Sequence, residues 1–148
     1  MSSSISKKAS TIILYRQTSQ VEVYMLQRSA TASFMPNALV FPGGALDDHD
    51  REEQWQKNSN MEHRVAKKTL CMHDAQLAHS LMVAAVRETF EEAGILLTQT
   101  QPKSIQEQDL LRKQLNAGSI TFQSVVERLG LTLDLNALTF ISRWITGK

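Results

Sequence analysis

Hydrophobic and polar residues alternate in short blocks along the first third of the chain. The stretches 10–16 and 21–28 are rich in β-branched and aromatic residues and flank the polar run 17–20, which predicts a β-hairpin. A third short strand is predicted at 39–41. The Pro-Gly-Gly sequence at 42–44 then predicts a turn, in which the glycine backbone can approach a ligand closely.

The middle of the chain changes from a polar stretch to a strongly helical one. Residues 46–68 are polar and mixed in charge, with few large apolar side chains, which predicts an inserted surface segment that is partly helical. Residues 74–93 are rich in helix formers, with Asp74 as N-cap and Gly94 as the stop. The first half of this helix is apolar nearly all round, so we expect neighbours on several sides.

The last third predicts two helices and a strand. Helices are expected at 105–116 and 121–129, the second ended by Gly130. Residues 138–145 have the composition of a strand, in which Trp144 is expected to pack on the core.

Composition restricts the class of protein. The 148 residues are 42% hydrophobic and 21% charged, which predicts a single globular domain spanning 1–148. A net charge of +1 provides no basic field for nucleic acid, and no apolar run is long enough for a membrane span. Because Cys71 is the only cysteine, an internal disulfide is excluded and a reducing, cytoplasmic location is expected.

Three glutamates near the end of the long helix are the strongest chemical signal. Glu88, Glu91 and Glu92 lie at positions i, i+3 and i+4 and therefore share one helix face, where their charges repel. A hard divalent cation such as Mg²⁺ or Mn²⁺ would relieve this repulsion, and Arg87 can pair with Glu91 at i+4. The alternative is a solvated acidic face that binds no metal.

The string at 87–95, Arg-Glu-Thr-Phe-Glu-Glu-Ala-Gly-Ile, fits the end of the Nudix hydrolase signature, R-E-U-x-E-E-x-G-U with U apolar. Thr89 takes the first apolar place. The chain thus resembles Nudix hydrolases, which implies an α/β fold, with a mixed sheet sandwiched between helices. It also implies hydrolysis of a nucleoside diphosphate derivative, with Mg²⁺ or Mn²⁺ held by Glu88, Glu91 and Glu92, one of them acting as base, and with Arg87 orienting the cluster.

The front half of the signature, G-x5-E-x7 before the arginine, departs from the usual spacing. Counting back from Arg87 places His79 where the glutamate is expected. If Gly43 or Gly44 is the signature glycine, about thirty extra residues follow, and the insertion is assigned to 46–73. This resembles the Nudix subgroup of the peroxisomal coenzyme A diphosphatases, whose signature is interrupted by a long insertion.

A second segment, upstream of the signature, is similar to a motif of the coenzyme A hydrolases. Residues 25–29 and 41–44 match at the right separation, whereas Ser33 and Asn37 replace an arginine and a glycine of that motif. The resemblance implies a substrate-binding role for Arg28, which can pair with a phosphate, and for Gly43 and Gly44, whose N–H groups can face a diphosphate. The alternative for Arg28 is an exposed charge at a strand end.

Two functions from different classes remain open. The first is metal-dependent hydrolysis of a diphosphate in a small-molecule nucleoside diphosphate derivative, with coenzyme A or acyl-coenzyme A as the favoured example. The second is a catalytically impaired domain that binds a nucleotide or a protein, suggested by His79, Ser33, Asn37 and the early C-terminus. Residues 142–146 resemble a mid-domain run of the subgroup, so the sandwich is expected to be incomplete at the C-terminus and a homodimer completed by strand addition is a further expectation.

Overall fold

A computed structural model describes residues 7–33 and 35–144. Its strands are β1 Ala9–Thr11, β2 Tyr15–Gln17, β3 Val21–Val23, β4 Leu26–Gln27, β5 Leu39–Val40 and β6 Gly43–Ala45. Its helices are α1 His63–Thr69, α2 Ala75–Ala93, α3 Ile105–Asn116 and α4 Phe122–Arg128, with 3-10 turns at Asp48–Arg51, Glu53–Gln56 and Leu135–Ala137. The architecture is α/β, as expected.

The strands pair in three antiparallel ladders, β1 with β6, β2 with β3, and β4 with β5. The predicted hairpin is confirmed in β2 and β3, where Tyr15 faces Val23. Each of the two predicted long strands is divided in two, because the chain changes partner: β1 and β4 pair with strands that follow residue 38. In the described part of the chain the ladders are all antiparallel, and the parallel contact is an isolated bridge between Ser59 and Leu133.

The turn predicted at the two glycines is wrong. Gly43 and Gly44 belong to β6 and pair with Thr11 and Ser10 of β1. The two backbones lie so close that a Cβ at Gly43 would collide with the Ser10 carbonyl and with the Thr11 Cα. Glycine is therefore required here for the close approach of two strands and not for a reversal of the chain.

Helix α2 is the centre of the core and confirms the predicted helix with its caps. Asp74 Oδ1 accepts a hydrogen bond from the Leu77 N–H at 2.9 Å, and Gly94 ends the helix in the left-handed conformation at φ 71. Most of the apolar half of α2 is buried, and Val83 and Val86 are fully buried. This burial fixes the helix that carries the glutamates.

The prediction that the polar segment at 46–68 is an inserted surface segment is wrong, because one face of it is buried. Trp55 is 1% exposed and stacks on Phe122 of α4 with a centroid separation of 5.4 Å, and Phe122 in turn contacts Phe90 of α2. Ala66 of α1 is also fully buried. A few apolar side chains at the right positions are enough to bury one face of this segment against α2, so its average polarity was misleading.

Helices α3 and α4 confirm the two predicted helices, whereas the strand predicted at 138–145 is wrong over the described residues 138–144. Trp144 is 79% exposed and does not pack on the core as expected. No described strand offers hydrogen bonds to this stretch, and β propensity alone does not form a ladder. In the described part of the chain, no helix has the length and apolar character needed to cross a membrane.

Candidate active site

Arg87 is the centre of a buried ion-pair network on α2. Its Nε donates to Asp50 Oδ1 at 2.9 Å and its NH2 to Asp50 Oδ2 at 3.1 Å, while NH2 also donates to the Ala45 carbonyl at 2.9 Å. Its NH1 lies 3.0 Å from Glu88 Oε1 and 3.1 Å from Glu91 Oε1. Burial opposes the charge of Arg87, but the hydrogen bond and charge of Asp50 outweigh it, so the pKa of Arg87 is raised and the guanidinium stays charged.

Asp50 is a site residue that the sequence analysis missed. Its carboxylate is 1% exposed, and Oδ2 also accepts the Asp47 N–H at 2.8 Å, which holds the 3-10 turn against α2. Counting forward from Gly44, instead of back from Arg87, places Asp50 six residues on, where the signature has its glutamate. That count was the available signal, and it places the insertion after Asp50 and not from residue 46.

The prediction that His79 takes the place of the signature glutamate is wrong, because Asp50 is the residue that contacts Arg87. His79 lies two helical turns before Arg87, and its Nε2 is 3.0 Å from Ser59 Oγ within the segment that follows Asp50. Its ring packs against the tilted ring of His63 of α1, with the ring centroids 4.7 Å apart. Burial, and then the nearby His63, lower the pKa of His79 to about 4, so it is a neutral core residue at pH 7.

Glu88 lies directly against β6, the glycine strand, which contains Gly43 and Gly44. A Cβ at Gly44 would stand 2.5 Å from the Glu88 carboxyl carbon, so only glycine leaves room for this carboxylate. Burial raises the pKa of Glu88, and the negative charges of Glu91 and Glu92 act in the same direction, against the opposing effect of Arg87. A carboxylate in such a place gains from a nearby cation.

Glu92 and Glu91 complete the cluster from the last turn of α2. Glu92 Oε2 accepts the Gly43 N–H at 3.0 Å, so this N–H faces a glutamate and not open space. The structure therefore brings Arg87, Glu88, Glu91, Glu92, Gly43 and Gly44 together, as the resemblance implied. Their catalytic and binding roles stay predictions.

The residues present fit a divalent metal by their chemistry. The donors are oxygen atoms only, which is the set that Mg²⁺ and Mn²⁺ prefer. Burial is the main reason that the pKa of Glu88 is raised, and the charges of Glu91 and Glu92 add to it. Among the described residues, however, no group of three or more acidic, histidine or cysteine side chains is arranged as a metal site. Arg87 and the Gly43 N–H engage the three glutamates instead, so metal binding requires their side chains to turn.

The two upstream substitutions have different structural meanings. Asn37 adopts φ 60, the left-handed conformation that glycine takes without strain and that asparagine tolerates best among other residues, so it can serve in place of the motif's glycine. Ser33 is exposed. The Arg28 Nε is buried without a hydrogen-bond partner among the described residues, which leaves a donor available.

Comparison with known proteins identifies the family of the chain. Residues 4–80, just over half of the chain, match the family model described as NUDT19 Nudix domain. The chain belongs to the Nudix hydrolase family. Among relatives of this Nudix chain, the putative nudix hydrolase 7 of Caenorhabditis elegans is 40% identical, with 62% of this chain and 23% of that protein covered. Acyl-coenzyme A diphosphatase NUDT19 of Gallus gallus is 30% identical, with 84% and 43% covered.

A solved structure supports the same assignment. The crystal structure of a NUDIX hydrolase from Alicyclobacillus acidocaldarius superposes with a TM-score of 0.73 at 29% identity, covering 99% of this chain and 64% of that chain. The Nudix fold class and the resemblance to the coenzyme A diphosphatase subgroup are thereby confirmed. The chain spans less than half the length of the curated relatives it matches.

Proposed function

We propose that this Nudix chain contributes the catalytic centre of a metal-dependent diphosphatase that acts on a nucleoside diphosphate derivative, with coenzyme A or an acyl-coenzyme A as substrate. The observation that carries the proposal is the buried Asp50–Arg87 pair, which holds the helix of Glu88, Glu91 and Glu92 against the glycine strand. Relatives from Gallus gallus and Xenopus laevis bear the name acyl-coenzyme A diphosphatase, which supports the substrate class.

In this proposal Glu88, Glu91 and Glu92 hold Mg²⁺ or Mn²⁺. The bound metal would polarise phosphate oxygens and lower the pKa of a water molecule. One of the glutamates accepts a proton from the attacking water, and Arg87 keeps Glu88 and Glu91 oriented. Arg28 and the backbone of Gly43 and Gly44 contact the substrate phosphates, and the Gly43 N–H becomes free for this when Glu92 turns toward the metal.

The second candidate, a catalytically impaired binding domain, loses much of its motivation. His79 was its first argument, and Asp50 supplies the carboxylate that His79 lacks. Asn37 was its second, and its left-handed backbone fits the motif's glycine. The exposed Ser33, in place of the motif's arginine, still favours it. The small-molecule substrate, the homodimer and the cytoplasmic location remain parts of the proposal that solution experiments must test.

Hydrolysis of a panel of diphosphates by the 148-residue chain, with and without Mg²⁺ or Mn²⁺, tests the activity. Metal-dependent formation of 4′-phosphopantetheine and an adenosine bisphosphate from coenzyme A, detected by mass spectrometry, is the expected result. Glu91→Gln and Glu92→Gln should remove most turnover, whereas Glu107→Gln on the exposed face of α3 should not. A chain that unfolds cooperatively but hydrolyses nothing on the panel would contradict the proposal, and full activity of Glu92→Gln would contradict the metal ligands.

A further inference from the structure

One face of α3 covers the end of α2, the helix of the three glutamates. Gln108, Arg112 and Asn116 are spaced by four residues and therefore share this face. Arg112 donates from Nε and NH2 to the Glu91 carbonyl at 3.1 and 2.9 Å and from NH2 to the Glu92 carbonyl at 2.8 Å. Asn116 Nδ2 adds a bond to the Glu91 carbonyl at 3.2 Å, and Gln108 Nε2 bonds the Gly94 carbonyl at 2.8 Å.

These contacts satisfy backbone carbonyl groups at the end of α2. The last four carbonyls of a helix have no partner within it and carry the negative end of the helix dipole. Water usually satisfies them, and the last turn frays. Here one guanidinium binds two of these carbonyls with its rigid planar fork, which both satisfies them and places a positive charge at the dipole's negative end.

The residues fixed in this way are the two glutamates nearest the helix end. Arg112 binds the backbone of Glu91 and Glu92 and leaves their carboxylates free for Arg87 and Gly43. Gly94 permits the approach, because a Cβ there would stand 3.3 Å from Arg112 NH1. A lysine could place one charge near the same carbonyls but could not reproduce the two-nitrogen fork.

We propose that Arg112 is a positioning residue for the metal site: it immobilises the final turn of α2, so that Glu91 and Glu92 present their carboxylates to a divalent cation at low entropic cost. This inference rests on the proposed function, since it concerns the same glutamates. It assigns to α3 a role in metal affinity that is separate from the packing of its apolar side.

Gln108 provides a matched control. Its side chain bonds the same helix end, but it reaches the Gly94 carbonyl beyond the two glutamates. Asn116 reaches the Glu91 carbonyl with one bond, so its loss should have an intermediate effect. If the three residues act only on folding, their variants should affect metal binding in proportion to the lost thermal stability.

The experiment measures Mn²⁺ binding by calorimetry, and thermal unfolding without metal, for Arg112→Met, Arg112→Lys, Asn116→Ala and Gln108→Ala. Loss of groups that orient metal ligands typically weakens metal affinity by about 10- to 100-fold, so we expect about a 10-fold rise in the Mn²⁺ dissociation constant for Arg112→Met. Arg112→Lys should recover part of the loss, Asn116→Ala should change the constant by about 2- to 3-fold, and Gln108→Ala should leave it unchanged. Amide hydrogen exchange at residues 91–94 should accelerate in Arg112→Met.

Three outcomes would overturn the inference. If wild-type protein binds Mn²⁺ and Arg112→Met binds it equally well, Arg112 only stabilises the fold and the proposed function stands. The same conclusion follows if Gln108→Ala weakens Mn²⁺ binding as much as Arg112→Met for the same loss of thermal stability. If the folded wild-type chain binds no Mn²⁺, the metal-dependent function and this inference fail together.

Discussion

Substitution of Asp50 by asparagine tests the buried network most directly. The change keeps the shape of the side chain but removes the negative charge that faces Arg87. Arg87 then loses a carboxylate that accepts two hydrogen bonds, at 2.9 and 3.1 Å. The N–H donors of the asparagine amide face a guanidinium that has no acceptor for them. Arg87 stays buried with its contacts to the Ala45 carbonyl, Glu88 and Glu91, and the asparagine oxygen can accept one hydrogen bond where the carboxylate accepted two.

The magnitude follows from the burial of the pair. Removing one partner of a buried ion pair costs about 3–5 kcal/mol, because the remaining charge is left uncompensated. Glu88 and Glu91 still provide some negative charge, so we expect the low end, about 3 kcal/mol. This is a large part of the roughly 5–15 kcal/mol that stabilises a typical domain.

Urea unfolding of the metal-free protein at neutral pH measures the effect. Asp48→Asn is the matched control, because Asp48 is an exposed acid on the same 3-10 turn and should change the free energy of unfolding by less than about 0.5 kcal/mol. In a double-mutant cycle, Asp50→Asn combined with Arg87→Met should cost less than the sum of the single changes. A loss below about 1 kcal/mol for Asp50→Asn, or additive effects in the cycle, would refute the network as described.

Three further predictions follow from single positions. Gly44→Ala should displace the Glu88 carboxylate, because its carbon would lie 2.5 Å from the new Cβ. Turnover and Mn²⁺ affinity should fall by at least about 10-fold while the chain still unfolds cooperatively. Unchanged Mn²⁺ affinity would contradict this prediction. The pKa of His79 is lowered from its ordinary value of 6.5 to about 4 by burial in the folded chain. The free energy of unfolding of the wild type should therefore fall as the pH drops from 6.5 to 4. His79→Gln should remove this loss of stability at low pH, which amounts to up to about 3 kcal/mol. Urea unfolding that shows the same acid sensitivity in the wild type and in His79→Gln would refute the prediction. Asn37→Ala should cost about 1 kcal/mol at φ 60, whereas Asn37→Gly should cost nothing, and equal thermal unfolding of the two variants would refute the left-handed conformation.

Much of the secondary structure was predictable because its causes are local. Helix α2 begins at the Asp74 cap and ends at Gly94, and both residues act on backbone groups within one turn. The same holds for α3 and for the β2–β3 hairpin. The predicted strand at 138–145 is wrong over the described residues 138–144, because a strand depends on a partner elsewhere in the chain.

The site was predictable where it lies on one helix and not where it crosses the fold. Glu88, Glu91 and Glu92 share a face because 3.6 residues make a turn, so their spacing determines their proximity. Asp50 is separated from Arg87 by 36 residues, and counting back from the arginine led to His79. Asp50 reaches Arg87 because the segment after Asp50 packs Trp55 into the core, and the spacing within one helix carries no information about that contact.

Local rules were sufficient to predict the long helix and the shared face of its three glutamates, since these depend on propensity, caps and fixed helical spacing. The α/β class followed from the resemblance to Nudix hydrolases that the signature at 87–95 implied. The tertiary structure alone decided that Asp50 neutralises Arg87, that Gly43 and Gly44 lie in a strand against the glutamates, and that Arg112 holds the end of α2. Each of these contacts joins residues far apart in the chain. Their formation depends on how buried apolar surfaces pack against one another, which local sequence rules do not specify.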